Sequence, residues 1–303
     1  METTLSEQAP VVLRNAATVM MVRDGPDGDS ALEVLMVRRN LNSDFVGGAY
    51  VFPGGAVDPT DGGPEAEALS PARSDAVASA ILEVPTGGLA YWVAVLRELF
   101  EEAGVLLATR ADGSLLSFAR DDDERRFVEH RRALNAGQRR FLDICGEERL
   151  LLAVERVHYF AHWVTPQGAP RRYDTRFFVA AAPPDQTPAH DAAEVIDETW
   201  LSPKEALRLH REGQIDLIFP TIRNLQAIAR FERSSDLLDA AAAAGHVPLI
   251  EPRVVVDGRA MRILLPGDPG YDEAVAARPG SGGDFNEAIR IISAAANQGD
   301  EEG

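Results

Sequence analysis

LAYWVAVLRELFEEAGVLL, residues 89–107, is the stretch that decides the fold, and its core is Arg97-Glu98-Leu99-Phe100-Glu101-Glu102-Ala103-Gly104-Val105. It has no Pro, is rich in Ala, Leu and Glu, and ends where Gly104 can adopt a left-handed conformation, so it reads as one helix. At 3.6 residues per turn Glu98, Glu101 and Glu102 share one face, with Val93, Leu96, Phe100, Ala103 and Leu107 as the buried stripe opposite. Each like-charge i,i+4 pair costs an isolated helix about 0.2–0.5 kcal/mol. A divalent cation would turn that repulsion into ligation, and hard oxygen donors suit Mg²⁺ or Mn²⁺. The alternative is a solvated acidic face with Arg97 paired to Glu101.

Upstream, Tyr50-Val51-Phe52-Pro53-Gly54-Gly55 reads as a strand that runs into a loop whose backbone can approach a ligand closely. Together the two segments resemble the Nudix hydrolases. The box of that family runs Gly, five residues, Glu, seven residues, then Arg-Glu-aliphatic-x-Glu-Glu-x-Gly-aliphatic. The second half matches from Arg97 to Val105. The resemblance implies metal ligation by Glu98, Glu101, Glu102 and the carbonyl oxygen of Gly55. Glu98 is then also a candidate general base, and Arg97 the salt-bridging residue that braces the loop.

The first half departs from the pattern. Gly55 and Arg97 stand 42 positions apart instead of 14, so about 28 residues are inserted. Leu89 occupies the place of the box Glu, the usual structural partner of the Arg; Glu83, inside the insertion, could replace it. An insertion within the box is similar to the coenzyme A diphosphatase branch of the family. So is the later pair Trp163-Val164-Thr165-Pro166 and Arg172-Tyr173-Asp174-Thr175-Arg176-Phe177-Phe178.

Net charge is −18, from 48 acidic and 30 basic residues. That argues against a nonspecific nucleic-acid binder but not against a small phosphorylated substrate, since a metal and a few Arg reverse the sign locally. No apolar run approaches the ~18 residues of a membrane span. METTLSEQAP lacks the pattern of a signal peptide and GDEEG is no peroxisomal address; with Cys145 the only cysteine, a cytoplasmic setting is expected.

Along the chain, residues 11–22 and 32–39 read as a hairpin around an acidic turn. Arg38 and Arg39 end it: the resemblance implies substrate phosphates nearby, and solvated arginines are the alternative. Residues 56–88 form the insertion, loop-like at first, with a short helix from Ala72 to Leu82; Asp58 and Asp61 resemble acidic positions that follow Gly-Gly in the coenzyme A branch, with a cap or turn role as the alternative reading. Residues 111–156 read as an inserted helical lobe that shapes the substrate cleft. Strands follow at 157–164 and 172–181. Alternation puts Arg172, Asp174 and Arg176 on one face, either a buried ion network or a cleft wall for phosphates. Glu194 is a candidate further ligand or base, with Glu198 behind it. Ser202-Pro203 opens a helix, another begins at Ile218-Phe219-Pro220-Thr221, and an Ala-rich helix runs to 244. Residues 246–265 alternate as strands, and 273–303 read as a flexible tail.

The expected architecture is α/β: a Nudix α/β/α sandwich with a mixed sheet and the helical lobe, in one domain over 11–265. The resemblance implies hydrolysis of a nucleoside-diphosphate-X compound, with coenzyme A or an acyl-coenzyme A as the leading substrate. ADP-ribose, dinucleotides or nucleotide sugars are the alternative substrates. A Nudix-fold nucleotide binder that has lost hydrolysis is the alternative of another class, with Leu89 as the feature in its favour. The partners expected are a small nucleotide-like diphosphate, no nucleic-acid polymer and no membrane. Homodimers are common in the family, but no residue here argues for one.

Overall fold

Leu13–Asp24 (β1) is the central strand, and its apolar run Ala16-Ala17-Thr18-Val19-Met20-Met21-Val22 is buried on both faces except at Thr18. This computed structural model describes residues 11–25, 31–40, 47–167, 169, 171–190, 194–257 and 260–274. The expected tail lies outside them from residue 275 onward. Leu32–Arg39 (β2) returns from β1 as the expected hairpin, with Val22 opposite Val34. Tyr50–Val51 (β3) pairs with β2, while Gly54–Ala56 (β4) pairs with β1. The two glycines therefore lie in the fork where β1 and β2 separate.

The insertion is more structured than its composition suggested. A 3-10 turn at Pro59–Asp61 is followed by Pro64–Leu69 (α1), where a loop was expected, and Asp75–Leu82 (α2). Proline at the first turn and buried Ala66 explain α1. Leu89–Ala103 (α3) is the expected helix, ended by Gly104 at φ +69°. The insertion caps α3. The Asp75 carboxylate accepts from the N–H groups of Gly87 and Leu89 at 2.9 and 3.0 Å, and Ser79 Oγ accepts from Gly88 N–H at 2.9 Å.

The buried surface of α3 is wider than the expected stripe and includes Trp92, Val95, Leu99 and Glu102. The helix is wedged between the sheet and the lobe, which leaves little of it facing water. Ala108–Thr109 (β5), Asp121–Asn135 (α4), Phe141–Glu147 (α5) and Leu151–Leu152 (β6) make that lobe, with β5 and β6 paired at its base. Phe100 of α3 meets Phe127 and Phe141 at centroid distances of 6.4 and 6.5 Å. Truncation of such a core Phe to Ala costs about 3–5 kcal/mol.

Val157–Val164 (β7) and Arg172–Ala181 (β8) pair antiparallel, and β8 runs parallel to β1 from Leu13↔Arg172 to Val22↔Ala181. Val195–Leu201 (β9) pairs with β2. Pro203–Arg211 (α6) is capped by Ser202 Oγ, which accepts from Glu205 N–H at 3.2 Å. Phe219–Ile228 (α7) and Ser234–Ala242 (α8) follow. Leu249–Ile250 (β10) joins the edge of β7, and Arg253–Asp257 (β11) with Ala260–Leu264 (β12) form a separate hairpin.

The main mixed sheet runs β10-β7-β8-β1-β2-β3, with β4 on β1 and β9 on β2. On one face Ala17, Val19, Met21, Leu35, Phe178 and Ala180 pack under α3. On the other, Met20, Val22, Met36 and Val179 pack against Ile222, Leu225, Ile228 and Leu237 of α7 and α8. The result is the expected α/β/α sandwich. No helix of the described residues is long and apolar enough to cross a membrane.

Candidate active site

A cleft of about 480 Å³ opens where β1 and β2 part. At one end it is lined by Gly54, Gly55, Glu98, Glu102, Arg39 and Glu194. Four elements meet there: the β3–β4 loop, α3, the end of β2 and the start of β9. The rest is largely apolar, with Trp163, Phe177 and Phe219 among the lining residues, together with Val254 and Ile263 of the β11–β12 hairpin.

Backbone approach explains the two glycines. A Cβ on Gly55 would lie 2.6 Å from Glu98 Cδ, and one on Gly54 would lie 2.6 Å from Thr18 Cα. Gly54 donates its N–H to Glu102 Oε2 at 2.9 Å, tying the loop to the helix.

Burial pushes the carboxyl groups of both Glu98 and Glu102 above the usual range, and their proximity to each other raises Glu102 further. Glu101, half-buried, is raised by burial as well, with Arg97 opposing. Arg97 Nη1 donates to Glu98 Oε1 and Glu101 Oε2, each at 2.8 Å, so two of the three box carboxylates are turned toward the arginine.

The brace on Arg97 comes from an unexpected residue. Asp61 accepts from Arg97 Nε at 2.8 Å and Nη2 at 2.9 Å, and Arg97 Nη2 also donates to the carbonyl oxygen of Ala56 at 2.9 Å. Asp61 is 1% exposed, and its Oδ2 also accepts from Asp58 N–H at 2.7 Å. Burial pushes the Asp61 carboxyl up, and Arg97 pulls it back only in part. The cap role expected of Asp58 and Asp61 is present, as a reciprocal capping box. Glu83 does not reach Arg97: it is paired with His246 at 2.8 Å, because residue 83 ends α2 at the surface. The missed signal was the Asp58-Pro59-Thr60-Asp61 turn just after the glycines, which carries a carboxylate back toward α3.

The residues suggested for phosphate contact divide. Arg39 lines the cleft and its charge reaches Glu102. Arg38 is turned to the Gly48 carbonyl oxygen at 3.2 Å and to the Tyr50 ring, outside the lining. On β8 the cleft-facing residues are Tyr173, Thr175 and Phe177. The opposite face carries an ion network: Asp174 pairs with Arg176 and, at 2.6 Å, with His162, while Arg176 lies over the Tyr91 ring of α3. Of the two alternatives left open for Arg172, Asp174 and Arg176, the arrangement is that of the network. Arg172 itself holds Glu251 at 2.6 Å. Glu198 accepts from His190 N–H at 3.0 Å and does not line the cleft, whereas Glu194 does.

None of the lobe at 111–156 lines the cleft, contrary to expectation, because its apolar side chains are spent on α3. The residues that shape the cleft instead come from β7, β8, the start of α7 at Ile218-Phe219-Pro220-Thr221 and the β11–β12 hairpin, all stretches distinguished in the sequence but none of them assigned there to shaping the cleft except β8.

Among the described residues no group of three or more His, Cys, Asp and Glu side chains is assembled as a metal cluster. The donor chemistry nonetheless fits a hard divalent cation. Glu98, Glu101, Glu102 and the Gly55 carbonyl supply oxygen alone, and the buried carboxylates carry a mutual repulsion that a dication would relieve.

A family model, the NUDT19 Nudix domain, matches residues 75–228. Among curated proteins the chain is similar to "Acyl-coenzyme A diphosphatase NUDT19" of Gallus gallus, 27% identical, with 86% of this chain and 80% of that protein covered. The protein of the same name from Homo sapiens is 29% identical, with 82% and 74% covered. Among solved structures, a Nudix hydrolase from Alicyclobacillus acidocaldarius superposes with a TM-score of 0.59 at 27% identity, covering 76% of this chain and 97% of that one.

Proposed function

Because the chain belongs to the NUDT19 Nudix domain family, whose members are hydrolases acting on diphosphates, we propose that its substrate is coenzyme A or an acyl-coenzyme A. The observation that carries this is the two-ended cleft: carboxylates and an arginine at one end, and a long, mostly apolar remainder. The names of the chicken and human relatives support the same substrate.

In this proposal Glu98, Glu101, Glu102 and the Gly55 carbonyl hold Mg²⁺ or Mn²⁺, which when bound supplies positive charge to the diphosphate. Arg39 faces the same oxygens. Glu98 or Glu194, both in the cleft wall, takes the proton of the attacking water. Arg97 touches no substrate; braced by Asp61 and Ala56, it fixes where Glu98 and Glu101 point. The products are adenosine 3′,5′-bisphosphate and 4′-phosphopantetheine or its acyl form. Leu89 lends little weight to a non-catalytic binder, since Asp61 occupies the bracing role.

The test is a panel of coenzyme A, acyl-coenzyme A, ADP-ribose, a dinucleotide and a nucleotide sugar with Mg²⁺ or Mn²⁺, products identified by mass. The proposal requires the coenzyme A compounds to be turned over fastest. Faster cleavage of any other member would replace the substrate, and tight nucleotide binding with no turnover would replace the reaction.

A further inference from the structure

The β11–β12 hairpin lies beyond the residues matched by the family model, yet it forms part of the cleft. Val254 and Ile263 are direct cross-strand partners, so they share one face of the hairpin, and both line the cleft beside Pro252. The floor between the hairpin and the carboxylates can be paced out by register. It passes from Gly55 on β4 to β1, from Ala16 to Thr175 on β8, then to Trp163 on β7 and Ile250 on β10. Four strand spacings of about 4.8 Å make roughly 19 Å. Ile250 leads through Glu251 into Pro252, so the hairpin joins the cleft from the β10 edge of the sheet, opposite the side where β9 on β2 brings Glu194.

The lining residues that the hairpin contributes are aliphatic, whereas Arg14, Thr165 and Tyr173 are polar lining from β1, the β7–β8 loop and β8. The side chains of Pro252, Val254 and Ile263 offer no hydrogen bond to a base or a sugar, but they match a hydrocarbon chain. On the way, Trp163 lines the cleft with its indole N–H buried and without a hydrogen-bond partner among the described residues. A ligand carbonyl at the indole edge would satisfy it.

The hairpin is also held in place. Arg172 donates to the Thr165 carbonyl oxygen at 3.0 Å and pairs at 2.6 Å with Glu251, two residues before β11. Tyr271 Oη donates to the Glu251 carbonyl oxygen at 2.8 Å, and Arg253 Nη1 donates to the carbonyl oxygens of Asp272 and Ala274 at 3.1 Å.

We propose that this hairpin is the acyl-chain wall of the cleft: Pro252, Val254 and Ile263 pack the hydrocarbon tail of an acylated diphosphate substrate, and Arg172 is the positioning residue that latches the wall through Glu251. This rests on the acyl-coenzyme A reading of the site.

The test measures binding without chemistry. Titration calorimetry in EDTA gives dissociation constants for decanoyl-coenzyme A and coenzyme A, and their ratio isolates the tail. Each buried methylene contributes about 0.8 kcal/mol, so a tail that is even partly packed tightens binding by about tenfold or more. Val254→Ser with Ile263→Ser brings the ratio to within about threefold of unity, and Arg172→Gln lowers it with the lining intact. Where the double variant fails a melting check by circular dichroism, Ile263→Ser alone carries the comparison. A wild-type ratio near one, including no binding of either compound, overturns the proposal, as does a full ratio in the lining variants. Turnover by wild type with Mn²⁺ is read separately, so loss of the hydrolase reading is not mistaken for loss of the wall.

Discussion

Asp61 grips Arg97 with both carboxylate oxygens, at 2.8 and 2.9 Å, across the insertion that separates the glycine loop from its helix. The box thus keeps a carboxylate–arginine brace although Leu89 stands where the family has its Glu. The insertion that lengthens the box also supplies the residue that closes it.

Asp61→Ala leaves the guanidinium of Arg97, a side chain only 12% exposed, facing a vacated partner. Removal of one member of a buried pair costs about 3–5 kcal/mol. Chemical denaturation should show a loss of that order, with turnover falling because Glu98 and Glu101 lose their fixed neighbour. Leu89→Glu should not rescue it. Leu89 is 1% exposed inside the apolar core, so a carboxylate there adds a second buried charge and lowers the melting temperature further.

Gly55→Ala should separate activity from folding. The added methyl would sit against the Glu98 carboxylate, which must swing aside. Turnover should drop by about 100-fold or more, since ångström-scale misplacement of a reacting group costs that much. The melting temperature should change far less than in Gly54→Ala, whose methyl meets β1 backbone and Thr18.

Metal occupancy should appear in stability as well as in rate. Burial keeps Glu98 and Glu102 above the usual carboxylate range, with Glu101 raising Glu98 and Glu98 raising Glu102 further. A cation that binds only the folded chain stabilises it by about 2.7 kcal/mol at a hundred times its dissociation constant. Mn²⁺ should therefore raise the wild-type melting temperature, EDTA should reverse the rise, and Glu98→Gln with Glu102→Gln should abolish it. An equal rise in that variant would place the cation elsewhere.

The legible parts of this fold were those whose physics is local. The helix from Leu89 to Gly104, the β1–β2 hairpin and the Ser202 cap follow from spacing and capping chemistry alone. The bracing role of Asp61 was hidden because it depends on how the chain folds over the 36 positions that separate it from Arg97, and no periodicity encodes that. The face of β8 was equally open: alternation separates Arg172, Asp174 and Arg176 from Tyr173, Thr175 and Phe177 but cannot say which set meets α3. Tyr91 and His162 decide it by offering partners to the charged set. The helical lobe misled for the same reason, since the apolar marks of its helices do not say which surface they cover.

Burial pushes the Cys145 thiol up to about 12. An unfolded cysteine ionises near about 8.5, so between those values the unfolded chain releases a proton that the native one keeps. Stability is therefore unaffected below about pH 8 and falls above it, by about 1.4 kcal/mol per pH unit from this group. Denaturation at pH 8 and pH 10 should show the fall reduced in Cys145→Ala, and the native thiol should resist alkylation until the chain unfolds.

The most direct measurement is kcat/KM for decanoyl-coenzyme A with Mn²⁺, for the wild type and for Glu102→Gln. Glu102 is buried, lines the cleft and is tied to the glycine loop, so its carboxylate belongs to the proposed machinery. Cleavage to adenosine 3′,5′-bisphosphate is expected of the wild type, with a loss of about 1,000-fold or more in the variant, comparable to removal of a principal electrostatic group from an active site. Equal turnover by the two proteins would contradict it and place the reaction away from these carboxylates.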